Sequence, residues 1–368
     1  MECTGARAPV GCGMSEHDNA GRGRPTIRDI AQRAGVSKSL VSLVMRGEPR
    51  VREEKRARVL AAAEELGYPT HAATRAMSST QSMTVGILLA DLRNPVLVDI
   101  VVRVEGLLHD WGLGTVLTGA VLPSSGRSGQ RVVSEAIGPL RALRVNAILV
   151  VGSVPDVGEL IASAGDVPMV VAGGQSEGLR ADIVRNDDEL GMRLVIDYLV
   201  SHGHRSIAHV GGQGGGVAHA RALGYRAAMQ HHGLEDEILV ADSDFSEDAG
   251  YRATAQLLRR DHAVTAITAL NDLVGVGALS AIADAGLGVP HDIAVTGYDD
   301  TFIAAIHHIS LTSVNLNVER ISSLAAQCIV ERIRDPHKMP EEFLLAPRLT
   351  IRFSAGATAA SSNASEGM

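Results

Sequence analysis

From residue 85 onward, short apolar runs alternate with stretches in which apolar residues recur every three to four positions. VGILLA, TVLTGA, NAILVV and PMVVAG read as strands, separated by helices through Ile100 to Leu108 and Val132 to Leu143. The cycle then restarts: IAHVGG, EILVAD, TAITAL and IAVTGYDD are strands, with helices near Arg221 to His232, at Ala249 to Leu258 and through Val274 to Ala285. Apolar strands broken by amphipathic helices predict parallel sheets covered on both faces, and the restart predicts two adjacent, doubly wound lobes.

Ahead of residue 85 the only period is helical. Ile27, Ile30, Ala31 and Ala34 form one apolar stripe, with Thr26 placed to cap it, Asp29 at the third position and Gly35 to end it. Ser37 then caps a second helix in which Leu40, Val41 and Val44 face inward while Lys38, Ser39 and Ser42 face out. Two short helices joined through Ala34-Gly35-Val36-Ser37 spell a helix-turn-helix. A third helix runs from about Glu53 to Leu66, with Val59, Leu60, Ala63 and Leu66 apolar, and stops at Gly67. The organisation expected is therefore an aperiodic tail over 1–24, an all-α headpiece over 25–70, a polar hinge over 71–84, an α/β body over 85–355 and a second tail over 356–368. Within the body, lobe 1 takes about 85–185 and 315–344, and lobe 2 about 186–314 and 345–355.

Charge sharpens this division. Residues 22–58 carry eleven Lys or Arg against four Asp or Glu, a local +7, whereas the chain is −8, which leaves −15 for the remainder. A basic helical head is the electrostatic footprint of a DNA-binding module. Arg22-Gly23-Arg24-Pro25 reads either as a minor-groove arm or as a charged lead-in. A chain of 368 residues with 45% hydrophobic content can fill a small core and a large one. No apolar run matches a signal peptide or a membrane span, so a cytoplasmic, nucleoid-associated protein with no membrane partner is expected. Cys3, Cys12 and Cys328 are too scattered for a disulfide framework or a zinc site, and neither His202-Gly203-His204 nor His231-His232 has ligand spacing around it. No metal and no cofactor are expected. The glycines at 211–216 lack the G-x-G-x-x-G register and no P-loop occurs, so this stretch reads as a flexible cleft loop.

Ligands of doubly wound sheets gather at the carboxyl ends of strands. The polar residues placed there are Asp91 with Asn94, Asn186 with Asp187, Arg221, Asn271 and Asp299, with Phe245 as an aromatic wall. Carboxylates, amides and a guanidinium can hold the hydroxyls of a small polar ligand while an aromatic face covers its apolar side. Singly, each also reads as a loop cap or surface charge; placed on successive strand ends, Arg221, Asn271 and Asp299 read as a site.

TIRDIAQRAGVSKSLVS, RARVLAAAEELGY and the body motifs above resemble the lactose-repressor (LacI/GalR) family of bacterial transcription regulators over residues 25–354. The resemblance implies a repressor that binds a near-palindromic DNA operator as a homodimer or tetramer. Its body would be like a periplasmic binding protein, with a sugar-like or nucleoside-like effector in the cleft. On this reading Lys38, Ser39 and Ser42 meet base edges, Ser37 and Arg52 meet phosphates, and Thr26 and Arg46 complete the headpiece contacts. Met77, where the family usually has leucine, becomes an apolar minor-groove wedge. Arg221, Asn271 and Asp299 match effector-binding positions, and Phe245 matches a stacking position. The chain departs from the family where it has Val96-Leu97 in place of two phenylalanines, Gly173-Gly174 in place of an Asp, and Leu43 and Arg46 in place of Arg and Asn. The competing reading, a solute receptor or an enzyme on the same body, needs an export signal or a nucleophile with its base, and the chain offers a basic headpiece instead.

Overall fold

The computed structural model describes residues 26–45, 51–66, 83–119, 133–154, 157–175, 181–213, 215–260 and 264–356. The tails, the Arg22–Pro25 stretch, Arg46, Gly67, Met77 and all but the last two hinge positions lie outside them. The chain divides into two compact units, Met1–Ser82 and Met83–Met368.

The first unit contains α1 (Ile27–Ala34), α2 (Lys38–Met45) and α3 (Glu53–Glu65). At the start of α1 the Asp29 carboxylate accepts from both the N–H and the hydroxyl of Thr26, at 2.7 and 2.8 Å. This fixes the first turn and places negative charge at the positive end of the helix dipole. Gly35 ends α1 in the left-handed region (φ 62°), and the guanidinium of Arg58 on α3 donates to the Ala34 carbonyl at 2.7 Å. A Cβ at Gly35 would sit 3.0 Å from that guanidinium, a tight contact, and the left-handed backbone is what favours glycine at the turn. Ile30, Ala34, Val41, Val44, Val59, Ala62 and Ala63 form the small core.

Among the described residues the second unit holds two six-stranded sheets. The chain order is β1 (Thr84–Leu89), α4 (Pro95–Asp110), β2 (Gly114–Gly119), α5 (Val133–Ala142), β3 (Ala147–Val151), α6 (Val157–Ala164), β4 (Met169–Ala172) and β5 (Asp182–Asn186). It continues with α7 (Asp188–Ser201), β6 (Ile207–Gly212), α8 (Gly216–His231), β7 (Leu239–Ser243), α9 (Glu247–Leu258), β8 (Ala266–Ala269), α10 (Asp272–Asp284) and β9 (Ala294–Asp299). Then come β10 (Thr312–Asn315), α11 (Val318–Arg334), β11 (Glu342–Leu345) and β12 (Arg348–Thr350). The strand order is β11-β5-β4-β3-β1-β2 in one sheet and β12-β10-β9-β8-β6-β7 in the other, all parallel except that β12 runs antiparallel to β10. The expected pair of doubly wound parallel lobes is therefore what the chain builds. β3 and β4 are buried at every position, as strands covered on both faces must be, whereas the edge strand β2 is partly exposed throughout.

The chain passes between the sheets after β5, after β10 and after β11. These crossings are tied to one another: the Asn186 amide donates to the Leu316 carbonyl at 2.8 Å, and the Asp187 N–H to the Leu345 carbonyl at 3.0 Å. At the far end of lobe 1, Arg332 makes a two-pronged pair with buried Asp182, both contacts 2.8 Å, pinning α11 to the start of β5. The glycine run is a loop only in part: Gly211 and Gly212 belong to β6 and Gly216 to α8, beside Gln175, while Gly214 lies outside the described residues.

Candidate functional site

In the headpiece, Val41 and Val44 bury the inner face of α2, which leaves Lys38 and Ser39 exposed and Ser42 half-buried. The Ser37 hydroxyl accepts from the Leu40 N–H at 3.3 Å, so it caps α2. Arg52, at the start of α3, is exposed. Thr26 stands at the N-cap of α1, as its place in the sequence predicts, with its hydroxyl donating to Asp29 at 2.8 Å.

In the body, the strand ends converge on Arg221, in the second turn of α8. Its Nε donates to Asp188 at 3.0 Å, one terminal nitrogen to Asp299 at 3.0 Å and the other to the Leu270 carbonyl at 2.6 Å. Its guanidinium carbon lies 3.7 Å from the centroid of the Tyr298 ring. Arg221, Asp188 and Asp299 are 4%, 6% and 4% exposed, so this is a buried ion cluster joining α7, α8, β8 and β9. Burial alone would lower the Arg221 pKa, but the Asp299 and Asp188 carboxylates outweigh it and hold the pKa above the usual value. Burial lifts Asp299 to about 6 despite Arg221, and lifts Asp272, with Asp299 nearby, to about 7. Asp299 also sits at φ 98° and Asp300 at φ 49°, conformations that ordinary residues avoid. Burial pushes His209, under the same region, down to about 3, so its ring is neutral and stacks on Tyr225.

A cavity of about 20 Å³, lined among others by Gly173, Gly174, Gln175, Asn186, Asp188 and Arg221, opens where the two sheets meet. That is room for about one water. Of the residues expected at the cleft, the structure brings Asn186, Arg221 and Asp299 together. The others are committed locally. Asn94, Asp187 and Asn271 are helix N-caps, their side-chain oxygens accepting from Val96, Leu190 and Val274 at 3.2, 2.9 and 2.9 Å. Asp91 pairs with Arg93 at 2.8 Å, and Phe245 packs against the lobe 2 core while its carbonyl accepts from Asn271.

Sequence reasoning missed Asp188, Gln175 and Tyr298. Asp188 reads as an ordinary acid in a helix's first turn. Tyr298 does carry a signal in Gly191: a Cβ there would collide with the tyrosine hydroxyl, so a glycine inside the α7 pattern marks a large partner opposite. Asp272, next to Asn271, accepts from the Ser313 hydroxyl at 2.5 Å and from the N–H and hydroxyl of Thr301 at 2.7 and 2.8 Å.

Two family models match the chain: bacterial regulatory proteins of the lacI family over residues 26–71, and a periplasmic binding protein-like domain over 196–355. The transcriptional regulator CelR of Thermobifida fusca is 33% identical over 346 residues, covering 90% of this chain and 99% of CelR. The structure of a CelR–cellobiose complex is similar at 32% identity and TM-score 0.66, covering 90% of this chain and 100% of the other. A lac repressor dimer bound to operator and the anti-inducer ONPF is similar at 25% identity and TM-score 0.69, covering 90% and 99%.

Proposed function

The chain belongs to the lacI family of bacterial regulatory proteins, and from that premise we propose that it represses transcription as a homodimer whose two headpieces read a near-palindromic operator. It is a DNA-binding regulator and not an enzyme. The observation that carries the reading is α2, which buries Val41 and Val44 and leaves Lys38 and Ser39 exposed on a segment of charge +7. Lys38, Ser39 and Ser42 face base edges, while Ser37, Arg52 and the backbone around Thr26 face phosphates. Arg46 and Met77 lie outside the described residues; Arg46 adds to the headpiece contacts with DNA and Met77 acts as an apolar wedge in the minor groove. Residues 71–84 act as the hinge, and the protein works on DNA in the cytoplasm.

The body binds a small, sugar-like or nucleoside-like effector between lobes that divide near residues 186, 315 and 345. Arg221, Asp299 and Asn186 hold the ligand. Asp91, Asn94, Asp187, Phe245 and Asn271 shape the strand ends around it. A ligand touching both lobes favours one arrangement of them over another, and only that difference in affinity can change DNA binding.

Replacing Lys38 by Ala tests the headpiece reading. Loss of a base contact is worth about 1–3 kcal/mol, so operator affinity should fall by roughly five- to 150-fold while affinity for random DNA changes little. Fluorescence anisotropy on both duplexes measures this, and equal losses on both would place Lys38 on phosphate.

A further inference from the structure

The corner that faces Arg221 across the cavity carries no side chain. Gly173 has a left-handed backbone (φ 66°), and a Cβ on Gly174 would collide with the Gly152 carbonyl oxygen. A ligand-directed carboxylate cannot project from there, and the carboxylate beside Arg221 comes from α7 as Asp188. The Asp188 oxygen not paired to Arg221 meets the Gln175 amide at 3.4 Å, the longest hydrogen bond in the cluster, and the buried Tyr298 hydroxyl also interacts with this carboxylate. Asn186, 5% exposed and lining the same cavity, has a side-chain oxygen with no hydrogen-bond partner. The Asn186 oxygen awaits a donor, and the Asp188 oxygen is held by a long contact that a ligand hydroxyl can replace. Among the described residues no unpaired cation lines the cavity to balance them: Arg221 lies between two carboxylates, Arg93 is held by Asp91 at 2.8 Å, and Arg185 by Glu342 at 2.5 Å. The terminal nitrogens of Arg221 donate once each, leaving one N–H apiece for ligand oxygens. Such walls suit groups that both donate and accept, as hydroxyls do, and oppose added negative charge.

Resting on the reading that the effector occupies this cleft, we propose that Asp188, held by Arg221 and covered by Gln175, restricts the cleft to uncharged hydroxyl-bearing effectors and excludes phosphorylated or carboxylated ones. Gln175 is the placeholder: its amide N–H occupies the acceptor that a ligand hydroxyl takes over when the cleft fills.

The test is calorimetric titration of the full chain with ribose, glucose and cellobiose, set against ribose 5-phosphate, glucose 6-phosphate and gluconate. The wild type should bind an uncharged member and take its charged counterpart at least about a hundredfold more weakly. Asp188→Asn should narrow that gap by about tenfold or more, and Asp188→Glu, which keeps the charge, should retain it. Gln175→Ala, which leaves the ion cluster intact, should tighten binding of the uncharged ligand by removing its competitor. A wild type that binds no uncharged member, or takes a charged one equally well, overturns the proposal, as does an unchanged gap in Asp188→Asn. Arg221→Ala separates the two levels: undiminished binding in that variant places the pocket elsewhere and removes the cleft reading itself, whereas lost binding together with an unchanged Asp188→Asn gap removes the role of Asp188 alone.

Discussion

Asp272 and Asp299 are carboxyls whose native pKa values, about 7 and about 6, lie above the ordinary 3.8. Between the two values the folded chain binds more protons than the unfolded one. Their contribution to stability is therefore present at low pH and lost as pH rises through 3.8 toward 7. Buried His209, depressed to about 3, works the other way up to its unfolded value, so the net curve of the wild type is not diagnostic. The difference between wild type and Asp272→Asn is. From pH 5 to 8 the wild type should lose on the order of 2 kcal/mol relative to the variant, read from urea midpoints. A parallel pair of curves would mean that Asp272 is ionised throughout. Arg221 and Asp299 were legible in the sequence because they stand at strand ends, where doubly wound folds concentrate chemistry. Asp188 was not, because a carboxylate in a helix's first turn is expected for the dipole alone, and only the fold brings it to Arg221. The local roles of Asn94, Asp187 and Asn271 were equally hidden, since a cap and a ligand group share residue type and position.

At the scale of elements, the headpiece helices were the most legible part of the chain, because caps, apolar period and turn glycine agree locally. Strands flanked by strong apolar runs were read within a residue or two. The segments left unread were the helices α6, α7 and α11 and the strands β5, β10, β11 and β12, and the short or mixed patterns of these strands acquire meaning only from neighbours distant in sequence. The α1–α2 turn gives the sharpest test of local dictation. Gly35→Ala places a side chain on a left-handed backbone and against Arg58, and should destabilise the headpiece by about 1–2 kcal/mol. Thermal unfolding of residues 1–82, followed by circular dichroism, measures it. An unshifted transition would mean that the turn relaxes at no cost and that Arg58 does not clamp it.

At the scale of the molecule, the cleft and the entry of the chain into lobe 1 lie at opposite ends of one sheet. The proposed ligand groups sit at the carboxyl ends of the parallel strands, while β1 receives the chain at its amino end, Thr84. Three crossings tied through Asn186, Leu316, Asp187 and Leu345 form the line about which we expect the lobes to hinge. A small rotation there moves the distant entry point further than it moves the cleft, so the position of a headpiece relative to a second copy is the quantity an effector can change. Such a change matters only if two headpieces act together. The charge division supplies the independent test, since a +7 segment on a remainder of −15 concentrates phosphate affinity in the head. Residues 83–368 alone should show no affinity for DNA. The full chain should sediment as a dimer at micromolar concentration, and with about 6–10 phosphate contacts its operator affinity should fall by roughly 10³–10⁵ between 50 and 200 mM salt. A monomer that keeps full operator affinity, or a body that binds DNA without its head, would break the link between cleft and operator, because neither protein would need the distance between two headpieces that closure adjusts.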